Sequence, residues 1–351
     1  MLLPGTPTPA PARIRERLAR PARRPGATAL AVALRGTDRQ LGLALCFHSV
    51  GDPQGRAGWA LVPALGTRLF AAQVRHLRAR YRLVLARELP EAVATRRRGD
   101  RFPLAITFDD DLAAHEDTAR LLRSLRVPAT FFLGGATLDG PRPYFWQVLQ
   151  AALDAGLSPA DPLLPRARDP HGPGGTHRIA AAIRELGPDE REALTATLAA
   201  RAPERQEPGL REEAVRELAR AGFEIGFHTR DHDALDRLDD QALARALRDG
   251  REQLEAVVRA PLRTVAYPFG LADERVAGAA RAAGFASGFT LDPQPAGTAG
   301  DPLLIGRYQP SFVSAGHTAT ELARGLAAAV RSPAAGHGGA VVRRAPAMVR
   351  R

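Results

Sequence analysis

Leu104-Ala105-Ile106-Thr107-Phe108-Asp109-Asp110-Asp111 is the stretch whose reading decides the fold. A short apolar run rich in strand formers ends abruptly in three consecutive carboxylates. A buried strand tolerates such a cluster only at its end, where the chain meets solvent, a metal or a substrate. Three adjacent like charges raise one another's pKa unless a cation sits among them. The arrangement therefore calls for a counter-charge from elsewhere in the chain.

Working outward, the same strand signal recurs. Residues 41–47 form a continuous apolar run that closes on His48, and 129–133 form another. Further strands are expected at 81–85, 224–228, 263–267, 286–291 and near 303–308. Helical spacing fills the intervals at 69–80, 89–97, 112–125, 240–258, 273–283 and 320–330, and most of 144–220 reads as helical around a Pro- and Gly-rich loop at 159–175. Strands alternating with helices argue for parallel βα units. Seven or eight such units without a glycine-rich phosphate fingerprint favour a closed or nearly closed barrel over a dinucleotide-binding sheet. Three regions are expected: a Pro/Arg-rich segment at 1–39 that is disordered or loosely attached, a barrel at 40–331 with a helical insertion at about 141–220, and a flexible tail at 332–351.

With 351 residues, 45% of them hydrophobic and 25% charged, the chain has material for a sizeable core. A net charge of +11 raises the question of nucleic acid, but every basic residue is arginine and the chain has neither lysine nor asparagine, the bias of a GC-rich genome. Aromatics are 5%, with none interleaved among basic residues as a stacking platform, so no nucleic-acid role is expected. Single Cys46 excludes an intramolecular disulfide and a multi-cysteine zinc site, and reads as a small core residue. No apolar run spans a bilayer. Nothing resembles a basic segment followed by an apolar core at the start, so the expected location is cytoplasmic. Oligomeric state is not legible.

In parallel α/β folds the site lies at the C-terminal ends of the strands. Those ends, in order, carry His48, then Asp109–Asp111, then His228, then Tyr267-Pro268-Phe269-Gly270. His228 and His232, four apart, can face one metal ion over a helical turn or a tight loop. With Asp110 they make a two-histidine, one-carboxylate set that leaves positions for water and substrate. Such a set suits Zn²⁺, with Co²⁺, Mn²⁺, Fe²⁺ and Ni²⁺ as alternatives. Asp111, just before a helix, stands where aspartate serves as an N-cap.

Four ordered motifs now carry a family resemblance: Thr107-Phe108-Asp109-Asp110, Pro128-Ala129-Thr130-Phe131-Phe132-Leu133, His228-Thr229-x-x-His232 and Ala266-Tyr267-Pro268-Phe269-Gly270. Together they resemble the polysaccharide deacetylases, the NodB-homology group of carbohydrate esterase family 4, from about residue 43 to about 330. The resemblance implies a distorted (β/α)7 barrel that hydrolyses the N-acetyl group of an amino-sugar-containing carbohydrate with one divalent metal ion. It implies Asp109 as general base, Asp110, His228 and His232 as metal ligands, and Tyr267, Pro268 and Phe269 on the substrate side. A carboxylate beside a metal-acidified water can complete its deprotonation.

Departures from the family pattern are specific. Asp111 stands where glycine is usual. Ala266 stands where an arginine often orients the catalytic aspartate, and Arg263 is the nearest candidate to replace it. No late Leu-His motif supplies the general acid, which leaves His48, His317, His337 and His115; His48, at a strand end on the rim, is favoured. Tyr144-Phe145-Trp146 either packs under a helical cap or stacks on a sugar, and the insertion is expected to form one wall of the cleft. Two other readings stay open: a non-catalytic carbohydrate-binding protein on the same fold, and a hydrolase of a non-sugar amide or an O-acetyl ester.

Overall fold

Strand β3 (Pro103–Asp109) shows how side chains sort between two layers. Leu104, Ile106 and Phe108 face the outer helices, whereas Ala105, Thr107 and Asp109 alternate onto the opposite face, as the period of two along a strand requires. All seven residues are buried. In this computed structural model, residues 25–52, 60–140, 142–203 and 209–331 are described.

The chain opens with α1 (Pro25–Arg35) and β1 (Leu41–Phe47), followed by α2 (Thr67–Arg80), β2 (Arg82–Val84) and α3 (Leu89–Ala94). After β3 come α4 (Ala114–Ser124) and β4 (Thr130–Leu133). Four helices then intervene: α5 (Phe145–Asp154), α6 (Gly175–Arg184), α7 (Pro188–Arg201) and α8 (Glu212–Arg220). The series resumes with β5 (Glu224–Phe227), α9 (Asp240–Ala246), α10 (Arg251–Val258), β6 (Thr264–Ala266), α11 (Glu274–Ala282) and β7 (Ser287–Phe289), and ends with β8 (Ala296–Gly297) and α12 (Ala315–Arg331).

The sheet runs β7-β6-β5-β4-β3-β1-β8, with β2 pairing the first part of the β3 edge that β4 takes further on. Every pairing is parallel except that of β8. Residues 303–308 then bring the two ends of the curl together, because Ile305 bridges Phe289 and Tyr308 bridges Leu45. The result is the expected distorted α/β barrel with its helical insertion. Phe47, Phe108 and Phe131 stack from strand to strand beneath the helices, at ring separations of 5.4 and 4.9 Å. Inside the curl, small residues (Ala44, Ala105, Ala266) make room for the rings of Phe132 and Phe289. The insertion has a separate apolar cluster around Trp146, Leu149, Ile179 and Leu198, against which Phe269 of the barrel rim packs.

Three expectations need correction. The helix expected over 240–258 is two helices, Asp240–Ala246 and Arg251–Val258, and Gly250, with φ +81, breaks the run at the N-terminus of the second. The loosely attached segment expected through residue 39 includes α1, whose Ala31 and Leu34 are buried and which packs on α12; its amphipathic run was hidden among Pro and Arg. Strand β8 was not expected. Residues 1–24 and 332–351, and with them His337, lie outside the described residues.

Candidate metal centre

The strand-end residues converge where the sequence places them. Asp110 follows the last residue of β3, and His228 the last residue of β5. His232 follows on a tight loop in which Thr229 and His232 both have left-handed backbone, φ +58 and +50. The loop, not a helical turn, brings the two imidazoles together, with ring centroids 4.9 Å apart. Asp110 itself has φ +75. Of the non-glycine residues with positive φ, Asp110, Thr229, His232 and Phe269 all lie in the loops of this one site. Strain of this kind costs about 1–3 kcal/mol per residue and persists only where surrounding structure imposes it.

The donor geometry fits a metal. Asp110 Oδ1 lies 3.5 Å from His228 Nε2 and 3.5 Å from His232 Nε2. Tetrahedral Zn²⁺ with bonds near 2.1 Å would separate its ligands by about 3.4 Å. Asp110 Oδ1 is buried and has no hydrogen-bond partner among the described residues, which suits an atom reserved for an ion. His228 Nδ1–H donates to the Ala266 carbonyl at 2.8 Å, fixing the tautomer that offers Nε2. Burial works against a charged His228, but the carboxylates of Asp109 and Asp110 override it and raise its pKa. At His232, burial and the neighbouring His228 lower it to about 3.

Asp109 faces into the barrel beside this trio, its Oδ2 3.9 Å from His228 Nε2. Burial alone would raise its pKa, yet Arg307 holds it well below the usual carboxylate range. The guanidinium forms a fork: Nη1 to Oδ1 at 2.6 Å and Nη2 to Oδ2 at 2.8 Å. Its remaining donors reach Thr107 Oγ1 at 3.1 Å and the Thr290 carbonyl at 3.1 Å. Arg307 is fully buried. The sequence points instead to Arg263, which is exposed just before β6, at the opposite end of that strand. A signal was present: Leu303-Leu304-Ile305-Gly306-Arg307 puts a lone cation at the end of an expected strand, and a buried cation demands a carboxylate.

The other candidates separate. His48 joins the site, since the ligand atoms of Cys46, His48 and Asp109 lie within 4.8 Å of one another. Cys46 is buried with its thiol 3.4 Å from Asp109 Oδ2, and burial raises its pKa well above the usual value, so the thiol donates. His317 is exposed on the first turn of α12 and bonded to Ser314. His115 is fully buried beneath the aspartates; burial lowers its pKa to about 4, which suits no general acid at neutral pH.

Two expectations on the substrate side are corrected. Tyr267 is wholly buried and its hydroxyl donates to the Leu303 carbonyl at 2.8 Å, so its ring belongs to the core. Pro268 is buried as well. Phe269 alone remains half-exposed, its ring 4.6 Å from that of His232. Trp146 lies 4.7 Å from His232 on another side and stacks on Tyr144 at 4.4 Å. The insertion therefore reaches the metal loop directly, and an ion pair between Arg191 of α7 and Asp233 adds to the contact.

Asp111 does not cap α4. Its Oδ1 accepts from the amides of Gly134 and Gly135 at 2.9 and 3.3 Å, and its Oδ2 from that of Ala136 at 3.1 Å. Burial nevertheless raises its pKa to about 6. It ties the end of β3 to the loop after β4.

Comparison with known proteins agrees with this geometry. The polysaccharide deacetylase family model matches residues 176–288, about a third of the chain, which includes His228, His232 and Tyr267–Gly270 but not the aspartates. The fold is similar to that of the Streptococcus pyogenes deacetylase PplD in complex with acetate (TM-score 0.56, 13% identity, 83% of this chain and 99% of that one). It is similar also to a polysaccharide deacetylase from Bacillus cereus (0.53, 17%, 82% and 69%) and to IcaB from Ammonifex degensii (0.51, 19%, 81% and 98%). No curated protein matches the sequence. The chain thus carries both a part of the signature and the fold of the polysaccharide deacetylases, hydrolases of carbon–nitrogen bonds other than peptide bonds.

Proposed function

We propose that this chain, on the fold of the polysaccharide deacetylases, removes N-acetyl groups from an amino-sugar-containing carbohydrate with one divalent metal ion, Zn²⁺ first among the candidates. One observation carries the reading: a strained, buried Asp110–His228–His232 trio with ligand spacing lies beside a carboxylate that is kept ionised by Arg307.

Asp110, His228 and His232 would hold the ion. Asp109 acts as general base and takes a proton from the attacking water as its oxygen bonds to the acetyl carbon. Arg307 orients both carboxylate oxygens of Asp109 and makes it a weak base. When bound, the ion lowers the pKa of the water and polarises the acetyl carbonyl, which so weak a base requires. His48 donates a proton to the nitrogen as the carbon–nitrogen bond breaks, leaving acetate and a free amine. Phe269, half-exposed beside His232, is the apolar wall for the substrate, and the buried Trp146 packs against the same imidazole; among the described residues no helix is long and apolar enough to cross a bilayer.

The test is metal analysis of the purified protein together with acetate release from N-acetylated oligosaccharides, small N-acetyl sugars and O-acetyl esters. Asp109→Ala protein retaining full activity would overturn the mechanism. Wild-type protein that binds metal and sugar but never releases acetate would be a carbohydrate-binding protein, and release from esters alone would move the substrate class.

A further inference from the structure

We propose that His115 is a positioning residue that holds the backbone of Asp110 in its metal-facing conformation. The inference rests on the metal reading above and concerns a residue that this mechanism leaves unused.

His115 lies in the first turn of α4, fully buried. Its Nε2 is 2.9 Å from the Asp110 carbonyl oxygen and 3.1 Å from that of Asp109. Both are acceptors only, so Nε2 carries the hydrogen and shares it between them. The two carbonyls belong to the peptide planes on either side of the Asp110 Cα. One N–H group therefore restrains both backbone torsions of a residue that sits at φ +75. The second of these planes is held from its other edge too, because the Asp111 amide donates to the Tyr144 hydroxyl at 3.0 Å.

Packing alone does not explain an imidazole here. Its ring lies against Phe108 and Phe131, with centroids 5.8 and 5.1 Å away. Nδ1 is buried without a hydrogen-bond partner among the described residues. An apolar side chain would fill the same slot without that unsatisfied acceptor, which is costly when buried. What only a donor can do is tether the two carbonyls. Released from the tether, Asp110 can relax from the left-handed region, which aspartate tolerates but does not prefer, and Oδ1 then moves off the position it shares with His228 and His232.

Two variants separate tethering from filling. His115→Leu keeps apolar bulk and removes the donor; His115→Gln places an amide nitrogen at about the reach of Nε2. Co²⁺ and Zn²⁺ affinity by calorimetry, with the visible spectrum of the Co²⁺ protein, should show His115→Leu weakened by roughly 10–100-fold with an altered spectrum, and His115→Gln close to wild type in both. Wild-type affinity and spectrum in His115→Leu would overturn the proposal, as would equal weakening of both variants. Amide exchange of segment 108–112 in metal-free protein tests the tether apart from the metal. Faster exchange in His115→Leu supports it and unchanged exchange overturns it, even if wild-type protein binds no metal and the function proposed above falls.

Discussion

Two buried carboxylates occupy opposite ends of the same barrel and are treated differently. Glu224, at the start of β5, has every oxygen matched: Oε2 accepts from Thr130 Oγ1 at 2.8 Å and the Arg87 amide at 3.0 Å, and Oε1 from Thr264 Oγ1 at 2.9 Å. Asp110, past the end of β3, has Oδ1 without a hydrogen-bond partner among the described residues and a left-handed backbone. A buried charge by itself separates structure from function poorly. Satisfaction and strain separate them well: the floor of the barrel is complete as it stands, whereas the rim is arranged around something that has to arrive.

The largest effect should come from a rim group that is itself satisfied. Arg307→Met strips Asp109 of its fork and leaves a buried carboxylate unpaired. Breaking such a pair costs about 3–5 kcal/mol, and misplacing a general base costs roughly 10²–10⁴-fold in rate. Denaturant melts and acetate release should both register the loss. Adding Asp109→Asn should recover most of the stability and none of the activity. An Arg307→Met protein with wild-type rate and melting would make the pair dispensable and put Asp109 outside the chemistry.

How much of this contrast the sequence shows depends on how far apart the partners are along the chain. Asp109–Asp111 and His228/His232 are legible because each motif is local and each ends a strand. Arg307 is hard to read because its partner lies about two hundred residues away, and the resemblance directs attention to the Ala266–Gly270 motif, where an arginine is often found. The left-handed backbone at Asp110, Thr229 and His232 has no local signal in the absence of glycine, since surrounding contacts impose it. Tyr267 was misread because a strand-end motif does not say which of its side chains turn inward. Alternation within β6 extended by one residue would have suggested it, because Val265 and Tyr267 both join the core that faces the helices.

A second test compares the two carboxylates directly. Excess Zn²⁺ should raise the melting temperature of the wild-type protein, with a ligand at a hundred times its dissociation constant adding about 2.7 kcal/mol. Asp110→Asn should lose most of that increment. Glu224→Gln should begin within about 1 kcal/mol of wild type, because its amide oxygen can keep the Thr130 and Arg87 donors while its NH₂ group donates to Thr264 Oγ1, and should gain the full increment. Loss of the Zn²⁺ response in Glu224→Gln would erase the distinction between floor and rim.

Acidification should oppose the two ends. Burial lowers His115 to about 4 and His232 to about 3 from an ordinary value near 6.5. A lowered histidine contributes stability that is present above pH 6.5 and is lost as pH falls through the folded value. Burial raises Glu224 instead, so its contribution is complete below its ordinary value near 4.5 and is lost as pH rises. Metal-free protein should melt at progressively lower temperature from pH 6.5 towards 4.5, and His115→Leu should flatten the slope. A melting temperature that climbs over this window would mean that the raised carboxylates, Asp111 and Glu224, outweigh the two lowered imidazoles.

The smallest effect on metal binding and rate is expected where the chain departs most visibly from the pattern of the family it resembles. Glycine at position 111 would be required if that residue took the left-handed turn, but the positive φ belongs to Asp110. Position 111 is free to carry a side chain, and its carboxylate gathers the amides of Gly134, Gly135 and Ala136. Its raised pKa, about 6, shows that burial offsets part of what those amides contribute. Asp111→Gly orphans those three amides and should destabilise the fold by at least the ~1–3 kcal/mol that one unsatisfied buried donor costs, but leave Zn²⁺ affinity and acetate release within a few-fold of wild type. Loss of Zn²⁺ binding in that variant would place Asp111 on the rim's side of the comparison, as a residue on which the metal site depends. A loss of stability alone would make Asp111, like Glu224, a satisfied carboxylate, although one that lies next to the chemistry.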